Sequence, residues 1–176
     1  MTDHTKSLAA LALPAVLAAT TLSGSTVLAC MMPFAAIATI AALAMPARRG
    51  LAAVGLCWLG NQVLGFGLMG FPWDGPTFAA GLSLLASSLI AFAAAGVLAR
   101  QGAGRGANAV LAFLAAFAAF EVSLFAYALP FGDTAMFTPG IVAQIALNDA
   151  LWFGALWLGW QVLARIPALA NGEHAA

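Results

Sequence analysis

Long apolar runs, separated by short connections that carry most of the charges, constrain the fold of this chain more than any other feature. A transmembrane helix needs about 20 mostly apolar residues. Charged residues make up 7% of the 176-residue chain, against roughly 25% in soluble domains, so lipid must be the solvent for its apolar surface. β-Barrel strands would be half as long and would alternate polar with apolar residues. We therefore predict an all-α polytopic membrane protein, a single domain over residues 1–176, whose six transmembrane helices cover roughly 7–21, 25–45, 50–71, 78–99, 108–129 and 140–163.

The basic residues predict the orientation of these helices. They fall at the N-terminus, in the second and fourth connections and after the sixth run, whereas the odd connections carry Asp74 and Asp133. Connections rich in Lys and Arg stay in the cytoplasm, so both termini are expected inside and the odd connections outside. The zero net charge gives no reason to expect a nucleic-acid partner. The basic residues that agree with this topology are Lys6, Arg48, Arg49, Arg100, Arg105 and Arg165.

The N-terminus also permits a second interpretation, a lipoprotein signal that ends at Cys30. A cleavable signal needs its apolar core close to the cleavage site, but the polar stretch 20–26 separates the two. Removal of residues 1–29 would leave five runs and spoil the alternation of charge. We therefore keep the chain whole, although its first run is short and contains Pro14.

Ionisable residues inside a span are candidates for function, because their insertion costs roughly 2.5–3.5 kcal/mol. Glu121 lies about 20 Å along the fifth span, in its outer half, and Asp149 about 14 Å along the sixth, near the middle. Gln144 and Asn148 are four residues apart and share a face of the sixth helix. Tyr127 lies further toward the outside. These groups predict a polar cavity that opens outward, while hydrogen bonding between helices remains the alternative for each of them.

The third span adds two neighbouring amides, Asn61 and Gln62, inside an apolar stretch that ends in an aromatic, proline-broken turn. An unpaired amide in hydrocarbon costs several kcal/mol, on the order of the loss of a hydrogen bond. We expect Asn61 and Gln62 as wall or interhelical glue near the floor of the cavity, with residues 71–76 as a possible rim, and Phe66 is a further candidate for substrate binding. Large apolar residues of the outer loops could close it as a lid or lie in an interfacial aromatic belt; they are Trp73, Phe131, Met136 and Phe137.

The two cysteines, Cys30 and Cys57, lie at different depths and make no disulfide framework. Cys30 is predicted near the outer end of the second span, and Cys57 about 10 Å above the cytoplasmic end of the third. A buried cysteine is usually a small apolar residue, but a thiolate in a dry pocket can ligate a soft metal. Both histidines lie in the tails, so one thiolate could supply a single axial ligand to a cofactor that brings its own equatorial ligands.

Motifs for other functions are missing, and small residues predict close helix packing. The chain contains no Walker loop, zinc-protease motif or nucleophile elbow. Ala15 and Ala19 form a small-x-x-x-small pair in the first span. Such pairs let helices approach closely, either within this protein or at a docking surface for another membrane subunit.

These features together resemble the S-components of energy-coupling-factor (ECF) vitamin transporters, and the Ala15–Ala19 pair resembles the motif by which those subunits dock on their coupling subunit. Two segments resemble the BtuM-type cobalamin transporters, small S-component-like proteins of proteobacteria. They are Cys30 to Ala36, and Trp58 to Phe66 with Phe71 and Pro72.

The resemblance implies a cobalamin (vitamin B12) transporter of the bacterial inner membrane, with no cofactor of its own. It implies a cysteine thiolate as the axial ligand to the cobalt of the bound corrinoid, removal of cyanide from cyanocobalamin, and transport with an ECF coupling module or without one. Cys30 is favoured over Cys57 because substrate enters from outside. Two rival hypotheses remain, an S-component for a smaller vitamin and a non-transport assembly subunit of a membrane complex.

Overall fold

The computed structural model describes residues 32–99 and 105–163, which form five helices. Within these ranges the structure contains no β-strand. Two short 3-10 turns, Leu129–Phe131 and Ala135–Phe137, lie in the connection between the last two helices. The helices are α1 (Phe34–Ala44), α2 (Ala47–Gly67), α3 (Gly75–Ala99), α4 (Arg105–Ala128) and α5 (Pro139–Leu163).

The four helices α2 to α5 are long and apolar enough to cross a membrane. They fall on the last four predicted spans, with ends that differ by only a few residues. The all-α, multi-pass character predicted from the sequence is thereby confirmed. The predicted span 7–21, with Ala15 and Ala19, and the segment 25–31, with Cys30, lie outside the described residues. The count of six spans and their orientation therefore stay predictions.

The second predicted span differs from the structure, since Met32 and Pro33 are not helical and α1 begins only at Phe34. Proline has no N–H to donate, and its ring disfavours helical geometry in the residue before it. Pro33 therefore interrupts the helix that the apolar pattern suggests is continuous over 25–45. The 11 residues of α1 rise about 16 Å, roughly half of the hydrocarbon thickness.

This short helix is the centre of the bundle. All of its residues from Phe34 to Ala41 are buried, and it packs against each of the four long helices. Its many alanines let those helices approach its backbone closely. The helix α2 packs on α1 and α3 but has little contact with α4 or α5. As a result, α1 separates α2 from the α4–α5 side of the bundle.

The two ends of the bundle differ in chemistry. We call the end with the α2–α3 and α4–α5 connections (68–74 and 129–138) the aromatic end, and the end where α2 and α4 begin the arginine end. At the aromatic end Asp74 caps α3, where its carboxylate accepts a hydrogen bond from the Thr77 N–H at 2.9 Å. Hydrogen bonds from the Thr77 side chain and backbone lower the pKa of Asp74.

A polar contact holds α2 against α3. The indole N–H of Trp58 donates to the carbonyl oxygen of Gly81 at 2.7 Å, and Gln62 lies one turn further along the same face of α2. A Cβ atom at Gly81 would lie 2.6 Å from the Gln62 Oε1, so the absence of a side chain at Gly81 makes room for the amide.

We predict that Trp58→Phe lowers the free energy of unfolding by about 1 kcal/mol, because the Gly81 carbonyl loses its donor while the aromatic ring is largely retained. Denaturant unfolding in detergent measures this. Trp73→Phe is the matched control, because Trp73 is 75% exposed, and it should change stability little. Equal losses for the two variants would contradict a role for the Trp58 hydrogen bond.

Candidate functional site at the centre of the bundle

Asp149 caps the N-terminus of α1 from a different helix. Its Oδ1 accepts a hydrogen bond from the N–H of Ala36 at 2.9 Å, and the N–H of Ala35 also interacts with the carboxylate. The first N–H groups of a helix have no partner within the helix, and Pro33 offers no side-chain cap. The N–H of Phe34 bonds to the Met32 carbonyl at 2.8 Å. Asp149 thus completes the hydrogen bonding at this helix end.

The cap lies near the middle of the bundle. Asp149 is ten residues into α5, about 15 Å from its start at the aromatic end, and it is 1% exposed. The positive end of the α1 dipole points at its carboxylate, which stabilises a negative charge there. A helix end that faces a carboxylate inside the apolar part of a protein resembles the broken helices from which transporters build their sites.

Glu121 on α4 is the second carboxyl group of this centre. It lies seven residues before the end of α4, about 10 Å from the aromatic end, and it interacts electrostatically with Asp149. The Glu121 Oε1 and the Asp149 Oδ2 are both buried, and neither has a hydrogen-bond partner among the described residues. We call these two residues the acidic pair. Within the described helices the arginines occur only near helix starts, so no basic residue lies at the level of the pair.

Aromatic rings pack around the acidic pair. Phe34, the first residue of α1, lies 6.0 Å from Phe120 between ring centroids. Phe113 and Phe153 stack between α4 and α5, with centroids 4.7 Å apart and an interplanar angle of 12°. Phe113 and Phe153 lie nearer the arginine end of their helices than Glu121 and Asp149 do. Their stack therefore forms an apolar floor between the acidic pair and the arginine end.

The structure brings together only some of the polar residues predicted to line the cavity. Asn148, next to Asp149 in sequence, is buried with it. Gln144 is exposed although it shares the Asn148 face of α5, and Tyr127 is half-buried and packs on Phe131 with ring centroids 5.3 Å apart. The cavity residues that meet at the centre are therefore Glu121, Asn148 and Asp149.

The amides of α2 lie apart from this centre. Asn61 and Gln62 are half-buried, and Gln62 packs against Gly81 on α3. Since α1 separates α2 from α4 and α5, these two amides and the acidic pair do not share one wall.

Cys57 lies in the packed core. Its side chain is 3% exposed, and it belongs to the same apolar cluster as Val54 and Ile37. The other candidate ligand, Cys30, is outside the described residues. Among the described residues no group of three or more Cys, His, Asp or Glu side chains could hold a metal ion by itself. A metal bound here would need to bring ligands of its own.

One predicted lid residue, Trp73, belongs to an aromatic cluster with Phe66, Phe71 and Phe78 at the aromatic end. Phe66 on α2 packs on Trp73 at 4.8 Å and stacks on Phe78 at 4.9 Å between ring centroids. Phe71 completes the cluster against Phe66 at 6.2 Å. Phe66 therefore anchors the α2–α3 connection. On the α4 side Phe137 packs edge-on against Phe125 at 5.2 Å.

A cavity of about 200 Å³ opens at the arginine end. Its walls carry only apolar side chains and backbone, which leaves no side chain to orient a polar ligand. Ligand pockets usually measure about 300–1,000 Å³, so this cavity is smaller than the usual ligand pocket. The residues that line it are Ala42, Met45, Ala47, Phe92, Ala93, Gly96 and Ala99.

The backbone N–H groups of Ala35 and Ala36 are the part of the centre that sequence reasoning missed. The signal was present in Pro33, since proline is common at helix starts. Read that way, the sequence would have placed a helix N-terminus, with its unpaired donors, inside the apolar run.

Comparison with known proteins adds no assignment. A scan against protein-family models found no match, and searches of curated proteins and of solved structures found no significant match.

Proposed function

We propose that this protein is a transporter or substrate-binding subunit for the uptake of cobalamin across a bacterial inner membrane. The observation that supports the proposal is the polar centre. A helix that begins halfway along the bundle is capped by the buried carboxylate of Asp149, which interacts with Glu121. Such an arrangement costs free energy in a purely structural protein and is typical of solute sites in transporters.

In this proposal the aromatic end faces outward, as the distribution of basic residues predicts. The solute enters between the aromatic connections and reaches the polar centre. Cobalamin carries several amide side chains around its corrin ring, and amide N–H groups are donors that the unpartnered oxygens of the acidic pair can accept. The Phe113–Phe153 stack then blocks passage toward the arginine end until the helices rearrange.

The axial cobalt ligand in this proposal is Cys30, with Cys57 as the alternative. Cys57 is in the packed core, so a corrin ring could reach its thiol only after the side chains around it had moved. The corrin supplies four nitrogen ligands to cobalt, so one thiolate is sufficient protein ligation.

An absorption spectrum of the purified protein after incubation with cobalamin and removal of free ligand tests the proposal. We expect a corrin band that co-purifies with the protein and is shifted relative to free cobalamin. Cys30→Ala should abolish the shift, and Cys57→Ala should preserve it. Ser123→Ala is the control, because its hydroxyl bonds within α4 to the carbonyls of Ala119 and Phe120.

Three other outcomes would contradict parts of the proposal. Colourless protein at saturating cobalamin would exclude this substrate and favour a smaller vitamin or an assembly role. Loss of the shift only in Cys57→Ala would reverse the assignment of the ligand. A bound corrin whose spectrum no cysteine variant changes would leave cobalamin as substrate but exclude cobalt–sulfur ligation.

A further inference from the structure

We propose that Glu121 binds a proton beside Asp149, so that the acidic pair is a proton site in the centre of the bundle. The inference concerns the pair itself and does not depend on the identity of the transported solute.

The first step is the imbalance of charge at the centre. Two carboxyl groups approach closely enough to interact, and the buried oxygens Glu121 Oε1 and Asp149 Oδ2 have no partner among the described residues. Asp149 is 99% buried. Glu121 is half-buried. Two unneutralised negative charges here would repel each other, and the one on Asp149 would also cost several kcal/mol, on the order of the desolvation of a buried ion. A bound cation removes one of them.

The second step assigns the proton to one of the two residues. Asp149 accepts N–H groups from the first turn of α1 and faces the positive end of that helix, both of which stabilise its carboxylate. Glu121 has no comparable donor at its buried oxygen. The proton therefore belongs on Glu121, and the carboxylate of Asp149 remains the cap of α1.

The third step distinguishes a proton from a metal ion. Sodium, calcium and magnesium ions need several oxygen ligands, and the α1 end of the site presents N–H groups, which repel a cation. No cluster of three acidic, cysteine or histidine side chains exists among the described residues. A proton needs only one carboxyl oxygen, which fits Glu121.

The helices that pack around the pair bring no other charge to it. Neither α1 nor α3 carries an ionisable side chain, and α2 contributes Cys57 from the opposite side of α1. On α4 the nearest ionisable neighbour is Tyr127, almost two turns toward the aromatic end, and on α5 the neutral amide of Asn148 precedes Asp149. Among the residues that the structure describes, titration at the centre is thus a property of Glu121 and Asp149.

Infrared difference spectroscopy on the purified full-length protein tests the site without any solute. A protonated carboxyl group has a carbonyl stretch that an ionised one lacks, and spectra recorded across a pH series in detergent should show one such band from the membrane interior. We expect Glu121→Gln to abolish the band. Asp149→Asn should retain it, and its amide oxygen can still accept the Ala36 N–H. Asp133→Asn is the matched control in an exposed loop, and it should leave the band unchanged.

The alternatives give different results. A band lost in Asp149→Asn but kept in Glu121→Gln would place the proton on Asp149 and overturn the assignment. A wild-type protein with no such band at any pH, or a band that both variants keep, would overturn the site. A band abolished by sodium chloride at constant pH would identify a metal-ion site instead. Thermal unfolding of each variant, run in parallel, checks that the variant is folded. Loss of the band in a folded variant then reflects loss of the carboxyl group. Since no cobalamin is present, none of these outcomes bears on the proposed substrate.

Discussion

Asp149→Ala is expected to lower the free energy of unfolding by about 2–3 kcal/mol, the cost of leaving a buried donor without its charged acceptor. The Ala36 N–H, which donates to Asp149 at 2.9 Å, would face a methyl group in a site closed to water. The α1 dipole would also lose the negative charge at its N-terminus. Because all four long helices pack on α1, fraying of its first turn would loosen the whole bundle.

Two control variants separate the cap from other effects of the substitution. Asp149→Asn keeps an oxygen at the position of Oδ1, so we expect it to retain most of the stability. Asp133→Ala removes an exposed acidic side chain from the α4–α5 connection and should have no effect beyond about 0.5 kcal/mol. Denaturant unfolding in detergent, followed by circular dichroism, compares the three. If Asp149→Ala were as stable as wild type, the carboxylate would not be what holds the start of α1.

The long helices could be predicted from the sequence because their signal is local. Runs of about 20 mostly apolar residues with at most one charge have few alternatives to a membrane-crossing helix. The sequence between neighbouring runs contains the glycines and prolines that end helices. Gly132 adopts a left-handed conformation with φ of 68°, which glycine tolerates without strain. Signals of this kind can be recognised within each segment of the sequence, without knowledge of the rest of the fold.

The arrangement of the site was only partly predictable. The depths of Glu121 and Asp149 follow from helix rise, which places Glu121 in the outer half of its span and Asp149 near the middle. The partner of Asp149 could not be anticipated. The donor is the backbone N–H of Ala36, which no side chain marks in the sequence, and it lies 113 residues away. The depth of a residue along its helix also does not predict how the helices are arranged around one another. Asn61 and Gln62 have suitable depth for the cavity, yet the insertion of α1 puts them on the other side of the bundle.

The packing of α1 against α2 gives a second large expected effect, at Gly50. A Cβ atom at this position would lie 2.6 and 2.8 Å from Cε2 and Cζ of Phe92 and 3.0 Å from the carbonyl oxygen of Ala41. Phe92 is itself buried, and the Ala41 oxygen belongs to the backbone of the central helix. Overpacking of this kind costs typically about 1–3 kcal/mol, more than the gain in helix propensity of up to about 1 kcal/mol.

We therefore predict that Gly50→Ala destabilises the protein by up to about 2 kcal/mol, the upper end of the overpacking cost less the gain in helix propensity. Gly55 and Gly60 provide controls on the same helix, since no heavy atom lies within 4 Å of a Cβ built at either position. Alanine at either site should leave stability unchanged or raise it by up to about 1 kcal/mol. Unfolding curves of the three single variants in one detergent show whether overpacking or the gain in helix propensity dominates at Gly50.

A double variant identifies the group that causes the clash at Gly50. If the Phe92 ring is responsible, Gly50→Ala should cost less in a Phe92→Leu background than in wild type, with a coupling of about 0.5–3 kcal/mol. If the Ala41 carbonyl is responsible, the cost should be the same in both backgrounds, because the backbone of α1 is unchanged. Gly50→Ala as stable as the Gly55 and Gly60 variants would contradict the close approach of α1 and α2 at this end.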